Sequence, residues 1–147
     1  MDGQAIAIIG LALCAGLCGV GSAIGLYNTG SAASGVLAED AKKFSKVLIL
    51  VVLPATQGIY GFVLAILGMS SVAGITTLMG GLKVLGAALP LAITGLISGI
   101  YQGKTSVSGI YAIAKNEKLS GKLILFPAMV ETYAILGLVV SILLMNA

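Results

Sequence analysis

Phe126-Pro127-Ala128-Met129-Val130-Glu131-Thr132-Tyr133-Ala134-Ile135-Leu136-Gly137 puts one carboxylate near the middle of a hydrophobic run reaching from Leu123 to Met145. As a helix that run is long enough to cross a bilayer, and nothing else charged lies inside it. An ionisable group at such a depth costs about 2.5–3.5 kcal/mol on insertion scales, so it survives mainly where it works. Two readings follow. Glu131 is either a structural acid satisfied by a neighbouring helix or a carrier of an ion or proton.

The composition makes the membrane the solvent. Of 147 residues 59% are hydrophobic and only 9% charged, and the mean hydropathy is +1.13. A soluble domain of this size would have no surface to offer water. The 21 glycines, with three prolines and no Trp, point to helices packed closely through small residues. Eight Lys against five acids, scattered, exclude a nucleic-acid partner, and the chain has no Arg and no His. An acid, Asp2, stands where a secretory signal would carry basic residues, so the first apolar run is expected to be retained. Cys14 and Cys18 fall on one helical face with no further ligands nearby and read as small apolar fillers.

Working outward, the chain predicts four membrane helices and an all-α fold. The first runs from about Gln4 to Leu37, with Gly21 and Gly25, and Ala15, Gly19 and Ala23, in rows at four-residue spacing. A polar loop, Glu39 to Lys46, leads to a second helix from about Val47 to Met69. Ser70 to Gly81 reads as a turn. A third helix, about Leu82 to Ala114, carries Gly95, Gly99 and Gly103, and a second polar loop, Lys115 to Lys122, precedes the fourth helix.

The two halves repeat. Gly25-Leu26-Tyr27-Asn28 pairs with Gly99-Ile100-Tyr101-Gln102 at an offset of 74, and Leu53-Pro54-Ala55 with Phe126-Pro127-Ala128 at 73. In that register Gly58 takes the place of Glu131. The expected organisation is two tandem hairpins, residues 1–72 without a membrane carboxylate and 73–147 with one. Each half has two crossings, so both enter the membrane the same way round, unlike an inverted-repeat transporter. Six of the eight Lys lie in the two polar loops. The positive-inside rule therefore puts residues 38–46 and 115–122 in the cytoplasm and both termini outside. Lys104 is expected to snorkel toward the interface.

Counting from the loop lysines places Gln57, Gln102 and Glu131 at depths of roughly 14–20 Å, at 1.5 Å per residue. Three polar side chains on three helices share one membrane layer. Leu53, Thr56, Gln57 and Tyr60 form one helical stripe, and three of these side chains carry oxygen. A proton carrier needs little more than the carboxylate. The surplus oxygens of Thr56, Gln57 and Gln102 suit a hard alkali cation such as sodium. Gln57 and Gln102 can instead serve as interhelical hydrogen-bond glue, and Thr56 can bond back to the carbonyl of Val52.

The doubled hairpin, Leu53-Pro54-Ala55-Thr56-Gln57-Gly58 and Met129-Val130-Glu131-Thr132-Tyr133-Ala134-Ile135-Leu136-Gly137 together resemble the proteolipid (K or c) subunit of bacterial sodium-pumping V-type ATPases. The resemblance covers nearly the whole chain. It implies a ring of identical subunits in the cell membrane, turned against a stator by ATP hydrolysis in other chains. It also implies a sodium ion on Glu131, Thr56, Gln57, Gln102 and the backbone carbonyl of Leu53, with Tyr60 hydrogen-bonded to the carboxylate. The glycine-rich first and third helices are expected to line the inside of the ring, and the polar loops to seat the central stalk. The chain has no nucleotide-binding loop and no nucleophile–base pair, so it is not expected to be catalytic by itself or to hold an organic cofactor. A stator subunit is expected to supply the Arg that this chain lacks. A proton-carrying ring, a small multidrug transporter and a structural pore-forming proteolipid are the rival readings.

Overall fold

The computed structural model describes residues 2–147 and is all-helical. Four apolar spans are long enough to cross a membrane: α1 (Gly3–Glu39), α2 (Ala41–Val72), α3 (Leu78–Lys115) and α4 (Glu117–Asn146). At 1.5 Å per residue the 37 residues of α1 reach about 55 Å, beyond any hydrocarbon core. The predicted turn over 70–81 is shorter than its composition suggests. Ser70 to Val72 and Leu78 to Gly81 are helical, leaving Ala73 to Thr77 as the connection. Gly81 in this stretch and Gly68 just before it serve helix contact: an added Cβ at Gly68 would sit 2.5 Å from Leu11 Cδ2, and one at Gly81 would strike the backbone of Gly3.

Helix ends are fixed by short polar side chains, as their unpaired backbone groups require. Thr77 Oγ1 accepts from the Gly80 N–H at 3.1 Å and starts α3. Asp40 and Asn116 end α1 and α3, their N–H groups donating to Val36 and Ala112. Each then accepts from the second residue of a 3-10 turn, Asp40 from Lys42 at 3.0 Å and Asn116 from Lys118 at 3.1 Å. Lys43 Nζ donates to the Ala114 carbonyl at 2.8 Å, which ties both polar loops together at one end of the bundle.

The longest contact is α1 against α3; α2 lies on α1, α4 on α3, and α2 touches α4, giving two layers of two helices. The glycine rows make the inner contact. A Cβ on Gly21 would lie 2.6 Å from Leu96 O, one on Gly25 2.5 Å from Gly99 O, and one on Gly95 would strike Cys18 Sγ. Close backbone approach is what small residues provide where lipid is as apolar as Leu. Cys14 and Cys18 are buried and free, filling space beside Leu64, Ala88 and Leu91.

The repeat has a different register from the one read in the sequence. Asp40 and Asn116 hold equivalent caps 76 residues apart. An added Cβ on Gly61 meets Cys18 and the Cys14 carbonyl, and one on Gly137 meets Thr94 and the Pro90 carbonyl, each pair again 76 apart. The place of Glu131 in the first hairpin is therefore Ala55, not Gly58. Registers of 73 and 76 differ by three residues, close to one helical turn, so both keep the same helical period, and the Pro-Ala pairs favoured the wrong one.

Candidate ion site

The site is assembled where α2 departs from regular helix. Pro54 carries no N–H, and Leu53–Ala55 tightens into a 3-10 turn before the helix resumes at Thr56. The Thr56 hydroxyl donates to the Leu53 carbonyl at 3.1 Å, not to Val52; a helical threonine can reach the carbonyl three or four residues back, and Thr56 takes the nearer, as Thr132 does with Met129. One turn on, Gln57 is fully buried, and Tyr60 follows on the same stripe.

Glu131, half-buried on α4, is held at both oxygens. The Tyr60 hydroxyl donates to Oε1 at 2.6 Å, and Gln102 Nε2 donates to Oε2 at 3.1 Å. Gln102, fully buried on α3, also donates to the Pro127 carbonyl at 3.2 Å and accepts from Gln57 Nε2 at 2.7 Å. One chain of hydrogen bonds thus joins α2, α3 and α4. Gln57 Oε1 ends it: this buried acceptor has no hydrogen-bond partner among the described residues. A buried acceptor without a donor is costly, about 1–3 kcal/mol, and it suits a site that receives a positive charge.

Of the residues singled out in the sequence, Glu131, Tyr60, Gln102 and Gln57 share this network. Thr56 and the Leu53 carbonyl bond to each other on the adjoining turn and make no hydrogen bond to the carboxylate. Lys104 stays outside, exposed, with Nζ 5.0 Å from the centroid of the Tyr101 ring. Two supports were missed. Ser22 on α1 accepts from the Gly58 N–H at 2.8 Å, and Thr29 donates to the Val51 carbonyl at 2.9 Å, gripping α2 on both sides of its 3-10 turn. Ser22 stands between Gly21 and Ala23 and reads as another small packing residue, so no pattern in the chain singles it out.

Two segments of the chain, residues 9–68 and 85–144, match the model of one protein family, described as the C subunit of ATP synthase. The chain belongs to that family. Its two matched segments stand 76 residues apart, the register of the caps and the glycine contacts. Among members, the V-type sodium ATPase subunit K of Enterococcus hirae is 46% identical over 142 residues, 97% of this chain and 91% of that protein. The A-type ATP synthase subunit K of Methanocaldococcus jannaschii is 36% identical over 145 residues, 99% of this chain and 64% of that protein. The c'' subunit of the V-type proton ATPase of Saccharomyces cerevisiae is 29% identical over 144 residues, 92% of this chain and 68% of that protein. With family membership the multidrug-transporter and plain-pore readings fall away: this is a multi-pass ATPase proteolipid with a duplicated hairpin.

Proposed function

We propose that this member of the family is the ion-carrying rotor-ring subunit of a V-type ATPase and that its cargo is sodium, bound at Glu131. The observation that carries the reading is Gln57 Oε1, a buried amide oxygen left without a donor and linked through Gln102 to a carboxylate already held at both oxygens. A cation supplies the missing positive charge. Glu131 neutralises it, Gln57 and Gln102 contribute amide oxygen, and Thr56 and the Leu53 carbonyl add two more oxygens from the adjoining turn, a donor set suited to a hard ion. A carboxylate with its cation is nearly neutral and can face lipid during rotation. The Enterococcus hirae relative, a sodium ATPase subunit by name, supports the choice of ion.

In the assembled machine identical copies form the ring. A stator membrane subunit supplies an Arg to the bare carboxylate, the central stalk sits on the loops 38–46 and 115–122 on the cytoplasmic side, and both termini lie outside. Other chains hydrolyse ATP. A proton is the second reading, favoured by the 2.6 Å Tyr60–Glu131 contact, which needs no metal, and by the yeast relative named for protons. ATP hydrolysis by the purified complex, followed against sodium concentration at fixed neutral pH, decides between them: stimulation by sodium supports the proposal and indifference to it overturns it.

A further inference from the structure

Pro90 lies inside α3, where it has no N–H to give and its ring crowds the carbonyl one turn back. Side chains from three helices meet the backbone at this point. The Leu91 N–H donates to Ser141 Oγ on α4 at 3.1 Å. Cys18 Sγ on α1 donates to the Leu91 carbonyl at 3.4 Å, and Thr94 Oγ1 donates to the Pro90 carbonyl at 2.8 Å. Ser141 is fully buried. Gly137, one turn before it, lets α4 lie against Thr94, since an added Cβ there would strike the Thr94 hydroxyl.

The 76-residue repeat assigns this arrangement to one hairpin. Cys14, Ala15 and Ala65 stand in the first where Pro90, Leu91 and Ser141 stand in the second. The first hairpin thus lacks both the proline and the hydroxyl, and its outer helix is held by Ser22 and Thr29 instead. The hairpin that bears the carboxylate is the one with the Ser141 latch. Among the described residues, the hydrogen bonds between α3 and α4 are those of Gln102 and this one. Leu91 lies 11 residues before Gln102 and Ser141 lies 10 after Glu131, so in an antiparallel pair both contacts belong to one register. A slip of α4 by one residue would move Glu131 about 1.5 Å along the axis and turn it by roughly 100°. The 3.1 Å bond from Gln102 would not survive that.

We propose that Ser141 is a positioning residue for the ion site: by accepting from Leu91 beside Pro90, it fixes the register in which α4 presents Glu131 to Gln102. The latch lies about 15 Å along the helices from the carboxylate, so Ser141 touches no ion. It acts through the fraction of chains whose site is assembled. A ligand that binds only the competent state has its apparent affinity reduced by that fraction, and saturating ligand restores the state in full. Loss of the latch therefore weakens ion binding and leaves the maximal rate alone.

This inference rests on Glu131 as the carrier of the ion, and the test separates the two. Ser141→Ala removes the acceptor, and Ser141→Cys keeps its size with a weaker one. ATP hydrolysis by each purified complex is followed against sodium concentration at fixed neutral pH. The sodium needed for half-maximal rate should rise about three- to tenfold in Ser141→Ala and by less in Ser141→Cys, with the wild-type rate regained at saturating sodium. A lower maximal rate at unchanged half-maximal sodium is what a merely structural role gives, and it overturns the proposal. No change in either value overturns it too. If the Ala variant does not assemble, the Cys variant carries the same readings. Wild-type activity indifferent to sodium overturns the sodium reading instead. The latch is then read from the rate at which a carbodiimide labels Glu131, since a carboxylate out of register loses the bonds that shield it. That rate rises at least threefold in Ser141→Ala on this proposal, and an unchanged rate overturns it.

Discussion

Tyr60 and Glu131, 71 positions apart in the chain and on opposite hairpins, meet through a 2.6 Å hydrogen bond in which the phenol donates to the carboxylate. The bond makes the proposed ion site a joint between the two halves of the duplication, with the carboxylate from one and its clasp from the other. On the proposed function, the clasp has to open before Glu131 swings away to release an ion. Tyr60→Phe removes it and keeps the ring. A hydrogen bond to a charged group contributes about 1.5–3 kcal/mol, so sodium dissociation from isolated rings should quicken by roughly 10–100-fold. Loss of bound radioactive sodium on dilution checks this, and an unchanged rate would mean the clasp does not gate release.

Glu131 is the one acid within the apolar core of the spans. Glu131→Gln keeps the shape but cannot compensate a cation, so transport should fall to background with the ring still assembled. A carbodiimide that modifies buried carboxylates should label Glu131 in the wild type, with sodium protecting it. Transport surviving in the Gln variant would sink the assignment.

The three polar neighbours should not be equal. Gln102 bonds Glu131, Gln57 and the Pro127 carbonyl, so Gln102→Ala breaks three contacts and strands the buried Gln57 amide. Thr56→Ala removes a hydroxyl already satisfied by the Leu53 carbonyl. Sodium affinity, read from the sodium dependence of ATP hydrolysis, should fall most for Gln102→Ala, by about 100-fold if some 3 kcal/mol is lost, and least for Thr56→Ala. The reverse order would place Thr56 nearer the ion than Gln102.

Much of this was legible because a bilayer simplifies the code. Charge-free runs gave four helices, the glycine rows marked the close-packing faces that α1 and α3 turn to each other, and the isolated Glu131 marked the centre of the buried polar network before any contact was known. What could not be read was register. The match of Pro54 to Pro127 competes with a true correspondence three residues away, and helical periodicity repeats nearly every three to four residues, so it takes packing such as Gly61 on Cys18 and Gly137 on Thr94, with the caps at Asp40 and Asn116, to separate them. The direction of the Thr56 hydroxyl could not be read for a similar reason, since a helical threonine can bond the carbonyl three or four residues back.

Glycine at the seam is required by space, and two substitutions measure this. Gly25→Ala puts a methyl 2.5 Å from Gly99 O and 2.6 Å from Pro54 Cβ, so α1, α3 and α2 must separate. Gly35→Ala adds a methyl that meets nothing within 4 Å in the same molecule and gains about 0.5–1 kcal/mol of helix preference. The first should lower the thermal midpoint of the detergent-solubilised assembly by several degrees, following the typical 1–3 kcal/mol of overpacking. The second should leave it unchanged or raise it. Equal effects would remove the case for a close seam.

The chain contains no arginine, and that absence sets a requirement on its partner. On the proposed function, once Glu131 gives up its cation the bare carboxylate must be compensated or bear the cost of burial. Within the chain, Lys104 is the nearest cation in sequence to the buried Gln102, but it points outward over Tyr101 while Gln102 points inward to Glu131. The compensating charge therefore has to come from outside, most suitably from an Arg, which stays charged in a membrane and matches a carboxylate with a forked pair of donors. It would replace the sodium and loosen the Tyr60 clasp at the few subunits passing the stator, while the rest stay loaded and neutral toward lipid. Isolated rings should accordingly hold sodium and exchange it slowly, and exchange should quicken when the stator is present. Replacing that stator Arg by Lys or Ala should return exchange in the complex to the rate of the isolated ring. If isolated rings exchange sodium as fast as the whole complex, opening of the site by an external Arg must be abandoned.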